Sequence, residues 1–119
     1  DKAQILPTGA AAENMLGLST QIPMNYVYLT SGSARRINLD IATVTFKRCV
    51  PKNFAYQGKL MPILVQALKS IGQDNITPEH VARIKALLAE NPEPDTYAHD
   101  LALSPIWIKK LFRQINPTL

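Results

Sequence analysis

Apolar positions repeat at two periods along the chain, alternating through residues 26–50 and falling at helical spacing from residue 60 onward. Ahead of both, Thr8 stands as an N-cap before Gly9-Ala10-Ala11-Ala12-Glu13-Asn14-Met15-Leu16 and Gly17 supplies the C′ stop, so a short Ala-rich helix is predicted. Pro23 then blocks further helix and pushes Ile22 toward extended backbone. Tyr26-Val27-Tyr28-Leu29-Thr30 alternates, Ser31-Gly32-Ser33 reads as a hairpin turn, and residues 36–41 alternate again with Ile37, Leu39 and Ile41 directed at the core. A second turn near residues 40–43 leads to a third strand, Val44 to Val50, with Val44, Phe46 and Val50 on one face and Thr45 and Lys47 on the other. That parity sends Arg36 and Lys47 to solvent and leaves Arg48 on the inward side, at a bulge or beyond the covered part of the sheet. Pro51 ends the strand.

The second half is helical. Leu60 to Ile71 reads as a largely buried helix with Pro62 in its first turn and Gly72 closing it. Thr77-Pro78-Glu79 opens another, with Val81, Ile84, Leu87 and Leu88 as its stripe and Glu79 placed to pair with Arg83 at i,i+4. A loop at Asn91 to Asp95 precedes a short helical turn, Thr96 to Leu101; Ser104-Pro105 then repeats the cap-and-proline signature before Ile108, Leu111, Phe112 and Ile115. Trp107 is expected to anchor this last helix into the sheet. The fold class is therefore α+β, in one domain over residues 1–119: a small, mainly antiparallel sheet, preceded by a short helix and followed by three to four helices packed on one side.

Composition narrows the class. With 119 residues, 46% hydrophobic and 18% charged, the chain can bury a core, and no apolar run approaches the length of a membrane span. The start, Asp1-Lys2-Ala3-Gln4, carries no signal-peptide pattern, so a cytoplasmic location without membrane contact is expected. One cysteine, Cys49, and two histidines offer neither an internal disulfide nor the usual zinc ligand set, and neither metal nor other cofactor is expected. The net charge of +4 is concentrated: Arg35 to Lys59 holds six bases against Asp40, a local +5, while the remainder is −1. Arg35, Arg36, Lys47, Arg48 and Lys52 are the candidate contacts for nucleic acid or another acidic partner, against a solvated sheet face as the plain alternative. If the Tyr26/Tyr28 face is open, those rings lie near Arg36 and Lys47, a texture shared by nucleic-acid and protein interfaces. Lys109, Lys110 and Arg113 favour the C-terminal dipole of the last helix.

No catalytic constellation accompanies this patch. The serines lack a Gly-x-Ser-x-Gly elbow, Cys49 lacks a protease-type signature, and no phosphate-cradling glycine loop is present. Glu90, Glu93 and Asp95 surround a proline loop where solvation explains them, and His80 is expected to be exposed. His99 beside Asp100 can act as a general base only where both reach a pocket, which keeps a nucleic-acid-processing enzyme as an alternative.

Several blocks stand in fixed order: Pro7-Thr8-Gly9-Ala10, Gly17-Leu18-Ser19-Thr20-Gln21 with Pro23, Tyr28-Leu29-Thr30 with Arg35-Arg36-Ile37, residues 51–56, Ala67-Leu68-Lys69, and Pro105 with Trp107-Ile108. Together they resemble the C-terminal domain of the bacterial AbiEi-like proteins, the antitoxin and autoregulator half of type IV toxin-antitoxin operons. The resemblance implies a noncatalytic effector domain of a transcriptional regulator, with operator DNA as partner of the full-length protein. It also implies opposition to a nucleotidyltransferase-like toxin without a stable complex. Relatives carry an N-terminal winged helix-turn-helix that this sequence does not match, so Asp1 is read as the start of a fragment. The remaining alternative is a homodimerisation or protein-interaction module that does not touch nucleic acid.

Overall fold

A computed structural model of the protein describes residues 4–20, 24–48 and 55–115. The chain runs β1 (Ile5–Pro7), α1 (Gly9–Met15), β2 (Asn25–Thr30), β3 (Arg35–Asn38), β4 (Thr43–Arg48), α2 (Leu60–Ile71), a 3-10 turn (Gln73–Asn75), α3 (Pro78–Glu90), α4 (Tyr97–Leu103) and α5 (Ile106–Ile115). This is the α+β class, with a four-stranded mixed sheet beside a helical set.

α1 ends as its sequence dictates. Gly17 takes φ 72°, the Leu18 amide donates to the Glu13 carbonyl and the Gly17 amide to the Asn14 carbonyl, which closes a Schellman motif. At the other end Thr8 holds the N-cap position in extended geometry, but its hydroxyl donates to the Val27 carbonyl and its amide bonds the same oxygen. The cap residue thus ties the helix to β2.

The sheet order is β1-β2-β4-β3, and this corrects two expectations. A first strand precedes α1, too short to show any alternation, and pairs antiparallel with β2. β2 and β3 are not a hairpin, because β4 inserts between them, parallel to β2 and antiparallel to β3. Ser31-Gly32-Ser33 is therefore a crossing connection, and the tight turn of the sheet is Leu39 to Ala42, closed by the Leu39 amide on the Ala42 carbonyl at 2.8 Å. The same topology puts β3 at an edge: all four of its residues are exposed. Ile37, Leu39 and Ile41 accordingly do not reach the core; Ile41 is 81% exposed. Val50 and Pro51 lie outside the described residues.

The core belongs to the helices. α2 is its centre, with Leu64, Val65, Ala67 and Leu68 essentially sealed from solvent, surrounded by Ala12 and Leu16 from the α1 region, Ile84 and Leu87 from α3, and Ile108 and Phe112 from α5. Trp107 packs on this cluster, so the last helix is anchored to helices instead of the sheet. Arg83 reaches across to the Leu16 carbonyl at 2.9 Å, completing the end of α1 rather than pairing with Glu79. His80 is half-buried and forms a capping box: its amide donates to the Thr77 hydroxyl, and its Nδ1 accepts from the Thr77 amide at 3.1 Å.

Candidate nucleic-acid interface

Strand register decides which side chains share a face, since directly paired residues project to the same side. Arg35 pairs with Phe46, Arg36 with Thr45 and Ile37 with Val44, while Tyr26 pairs with Val44 and Tyr28 with Phe46. One face therefore carries Tyr26, Tyr28, Val44, Phe46, Ile37, Arg35 and Arg48; the other carries Val27, Leu29, Thr43, Thr45, Arg36 and Lys47. The tyrosines thus keep company with Arg35 and Arg48, not with Arg36 and Lys47 as alternation within single strands suggests. The cause is the central parallel pairing, which no single strand's pattern encodes.

Each face holds a diagonal pair of cations around one residue of β4. Arg35 and Arg48 flank Phe46; Arg36 and Lys47 flank Thr45. Diagonal neighbours on an antiparallel ladder stand about 7–8 Å apart at Cα, close enough for like charges to repel. All four side chains are exposed, and among the described residues the ion-pair geometry is met once, by His99 and Asp100 elsewhere. The patch is therefore cationic on both faces and, among the described residues, without an internal carboxylate partner. On the first face the Arg35 guanidinium lies 5.5 Å from the Phe46 ring centre, and Phe46 stacks on Tyr28 at 5.7 Å. Lys52 lies outside the described residues.

The opposite end of the same sheet has different chemistry. The Thr43 amide donates to the Met24 carbonyl at 2.9 Å, which brings Met24 beside the Leu39–Ala42 turn. Met24, Leu39 and Ile41 are each more than half exposed there.

His99 and Asp100 do meet, at 2.9 Å, yet the carboxylate serves the fold. Lys59, at the N-cap of α2, offers no side-chain cap, so the first amides of the helix look elsewhere for acceptors. Asp100, fully buried on α4, accepts from the Gln57 amide at 2.8 Å and the Gly58 amide at 2.7 Å. Glu93 accepts from the Lys59 amide at 2.6 Å and the Leu60 amide at 3.2 Å. Glu93 thus caps the first amides of α2 and Asp100 holds the two residues leading into it, which places two carboxylates at the positive end of the helix, where anions are favoured. Glu93 is consequently not a merely solvated loop residue. Burial alone would raise the Asp100 carboxyl, but the hydrogen bonds from Gln57, His99 and Gly58 outweigh it and hold the group below its ordinary range. A Cβ at Gly58 would stand 2.7 Å from Glu93 Oε1 and 2.9 Å from Asp100 Oδ2, so a side chain there displaces the capping carboxylates. Sequence periodicity does not reveal this cap because its partners are some forty residues apart along the chain; a helix start at Lys59 without a cap of its own is the one local signal.

Among the described residues, no three His, Cys, Asp or Glu side chains converge as a metal site, and no helix is long and apolar enough to cross a membrane. A model of the family described as "Family of unknown function (DUF6088)" matches residues 1–95. No curated protein and no solved structure matches the chain.

Proposed function

We propose that this chain, which belongs to the DUF6088 family of unknown function, is the noncatalytic effector domain of an AbiEi-like antitoxin and transcriptional autoregulator, contributing backbone contacts to operator DNA. The observation that carries this reading is the cationic ladder of β3 and β4, exposed on both faces and free of carboxylate partners among the described residues. Four like charges held on the edge strand β3 and its neighbour β4 lower the stability of the sheet slightly, and a bound polyanion supplies the compensating partner. A narrow edge strand bearing cations on both faces suits phosphate tracking; it does not read bases. The resemblance supplies the toxin-antitoxin context, and the cytoplasm is the compartment that goes with it.

Fluorescence anisotropy on promoter DNA of the operon, measured over a series of salt concentrations with the chain and with any longer product that carries it, tests the proposal. Replacing Arg36 and Lys47 by alanine is expected to flatten the slope of log K against log salt by up to about 0.9 for each phosphate no longer neutralised. Unchanged affinity and slope after replacing all four cations removes DNA from the proposal. Protection of cells from the toxin is scored separately with the same variants.

A second reading is favoured by the apolar end of the sheet: Met24, Leu39 and Ile41, gathered beside one turn, suit a self-association surface. Sedimentation at increasing concentration distinguishes it. A mass that rises in the parent and stays monomeric in Leu39→Ser/Ile41→Ser supports this second reading.

A further inference from the structure

The start of α2, the end of α3, the loop residues 91–94, α4 and α5 line an open groove of about 600 Å³ in the helical half, apart from the basic sheet. This volume is within the range of small-molecule sites, roughly 300–1,000 Å³. Its floor and walls are apolar, formed by Leu60, Met61, Leu88, Tyr97 and Leu101. Its rim on α5 is not: Lys109 and Arg113, four residues apart and so on one side of that helix, both line the groove. Neither has a carboxylate within ion-pair distance among the described residues. Glu93, the one acid on the lining, already accepts from the Lys59 and Leu60 amides. Tyr97 stacks on Phe112 at 6.4 Å, which fixes its ring as one wall.

The geometry points to this groove as a binding site for a small amphipathic anion, an unbranched apolar chain carrying a carboxylate or phosphate head. The chain lies along Met61, Leu88 and Leu101, and the head sits between Lys109 and Arg113. Charge complementarity selects the anion: two adjacent cations above an apolar floor repel each other until a negative group stands between them. A concave, mostly apolar lining that runs from Met61 and Leu88 to Leu101 beneath the two cations selects a small molecule with an apolar chain over a flat protein surface.

Isothermal titration with sodium decanoate, decyl phosphate and decan-1-ol, below the micellar range, tests the site. Decanoate or decyl phosphate is expected to bind one molecule per chain and to raise the melting temperature. Lys109→Gln/Arg113→Gln weakens the anions at least tenfold and leaves the alcohol unchanged. Ala102→Trp, at an exposed position lining the groove, fills the space and abolishes binding of all three while the unliganded melting temperature stays as in the parent. Failure of both anions to bind, equal binding to Ala102→Trp, or indifference to loss of the two cations overturns the proposal. None of these outcomes bears on the DNA contacts of the sheet, whose cations are left intact.

Discussion

Asp100→Asn is the sharpest test of how the helical half is held together. In the parent, both carboxylate oxygens accept a short backbone hydrogen bond, from Gln57 at 2.8 Å and Gly58 at 2.7 Å, at a fully buried position. Asparagine keeps one acceptor and presents an NH₂ to the second amide, so one charge-assisted bond is lost and a part-buried N–H loses its partner. A hydrogen bond to a charged group contributes about 1.5–3 kcal/mol. Loss of the negative charge at the positive end of α2 adds about 0.3–1 kcal/mol. The expected destabilisation is therefore about 2–4 kcal/mol, which for a chain of this size lowers the melting temperature by roughly 8–16 °C. Urea and thermal melts followed by circular dichroism measure it. The pH dependence supplies a second readout. Because the folded carboxyl is held below its unfolded value, its stabilisation is fully present above the unfolded pKa, about 3.9, and is lost as pH falls through the folded pKa. The gap between parent and variant is thus full at neutral pH and narrows below about pH 4. A loss under about 1 kcal/mol at neutral pH, or a gap that does not narrow in acid, refutes the capping assignment.

Gly58→Ala attacks the same cap from the other side, forcing both carboxylates away from a Cβ, and is expected to cost about 1–3 kcal/mol in urea melts. Combined with Asp100→Asn it costs less than the sum of the two, since both disrupt the same hydrogen bonds; strict additivity in the double-mutant cycle counts against it. Leu64→Ala, in the sealed centre of α2, loses about 2–5 kcal/mol. Ile41→Ser, at a position 81% exposed, stays within about 0.5 kcal/mol of the parent in the monomer. Equal losses at Leu64 and Ile41 in denaturant melts contradict the division into a helical core and an open sheet end.

Sequence periodicity locates most helices because their signals are local. Gly17, Gly72 and Thr77-Pro78 act within a turn of their own positions, and α2 spans Leu60–Ile71 as its pattern indicates. Alternation also finds the strands β2 and β4, but it cannot order them. The pattern of β3 is that of a strand with one buried face, and Ile37, Leu39 and Ile41 obey it while standing in solvent, because burial depends on which strand neighbours which. Parity places Arg36 and Lys47 outward and together, which the β3–β4 register repeats. It cannot place Tyr28 beside Phe46, since that requires the parallel pairing across a long connection. The cap by Glu93 and Asp100 is illegible for the same reason: the acceptors come from a distant segment, and only the helix start without a cap of its own marks the gap.

The cap also ties the part of the chain that the family model matches to the helices beyond it. The family match ends at residue 95, between the two capping carboxylates, so Glu93 falls within the matched part and Asp100 beyond it. α4 returns Asp100 to the start of α2, and α5 inserts Ile108 and Phe112 into the cluster around Leu64 and Leu68. The last two helices therefore complete a core that the matched segment begins, and they form much of the groove with the Lys109 and Arg113 rim while doing so. The proposed DNA contact on the sheet and the proposed ligand site in the helical body can therefore be perturbed separately. Removing cations at Arg35, Arg36, Lys47 and Arg48 leaves the buried cluster untouched, whereas disturbing Asp100 or Gly58 loosens α4 against α2 and with it the wall of the groove. Loss of DNA affinity without loss of decanoate binding in the first set, and loss of decanoate binding without a change of salt slope in the second, is the pattern that two independent sites on one scaffold require.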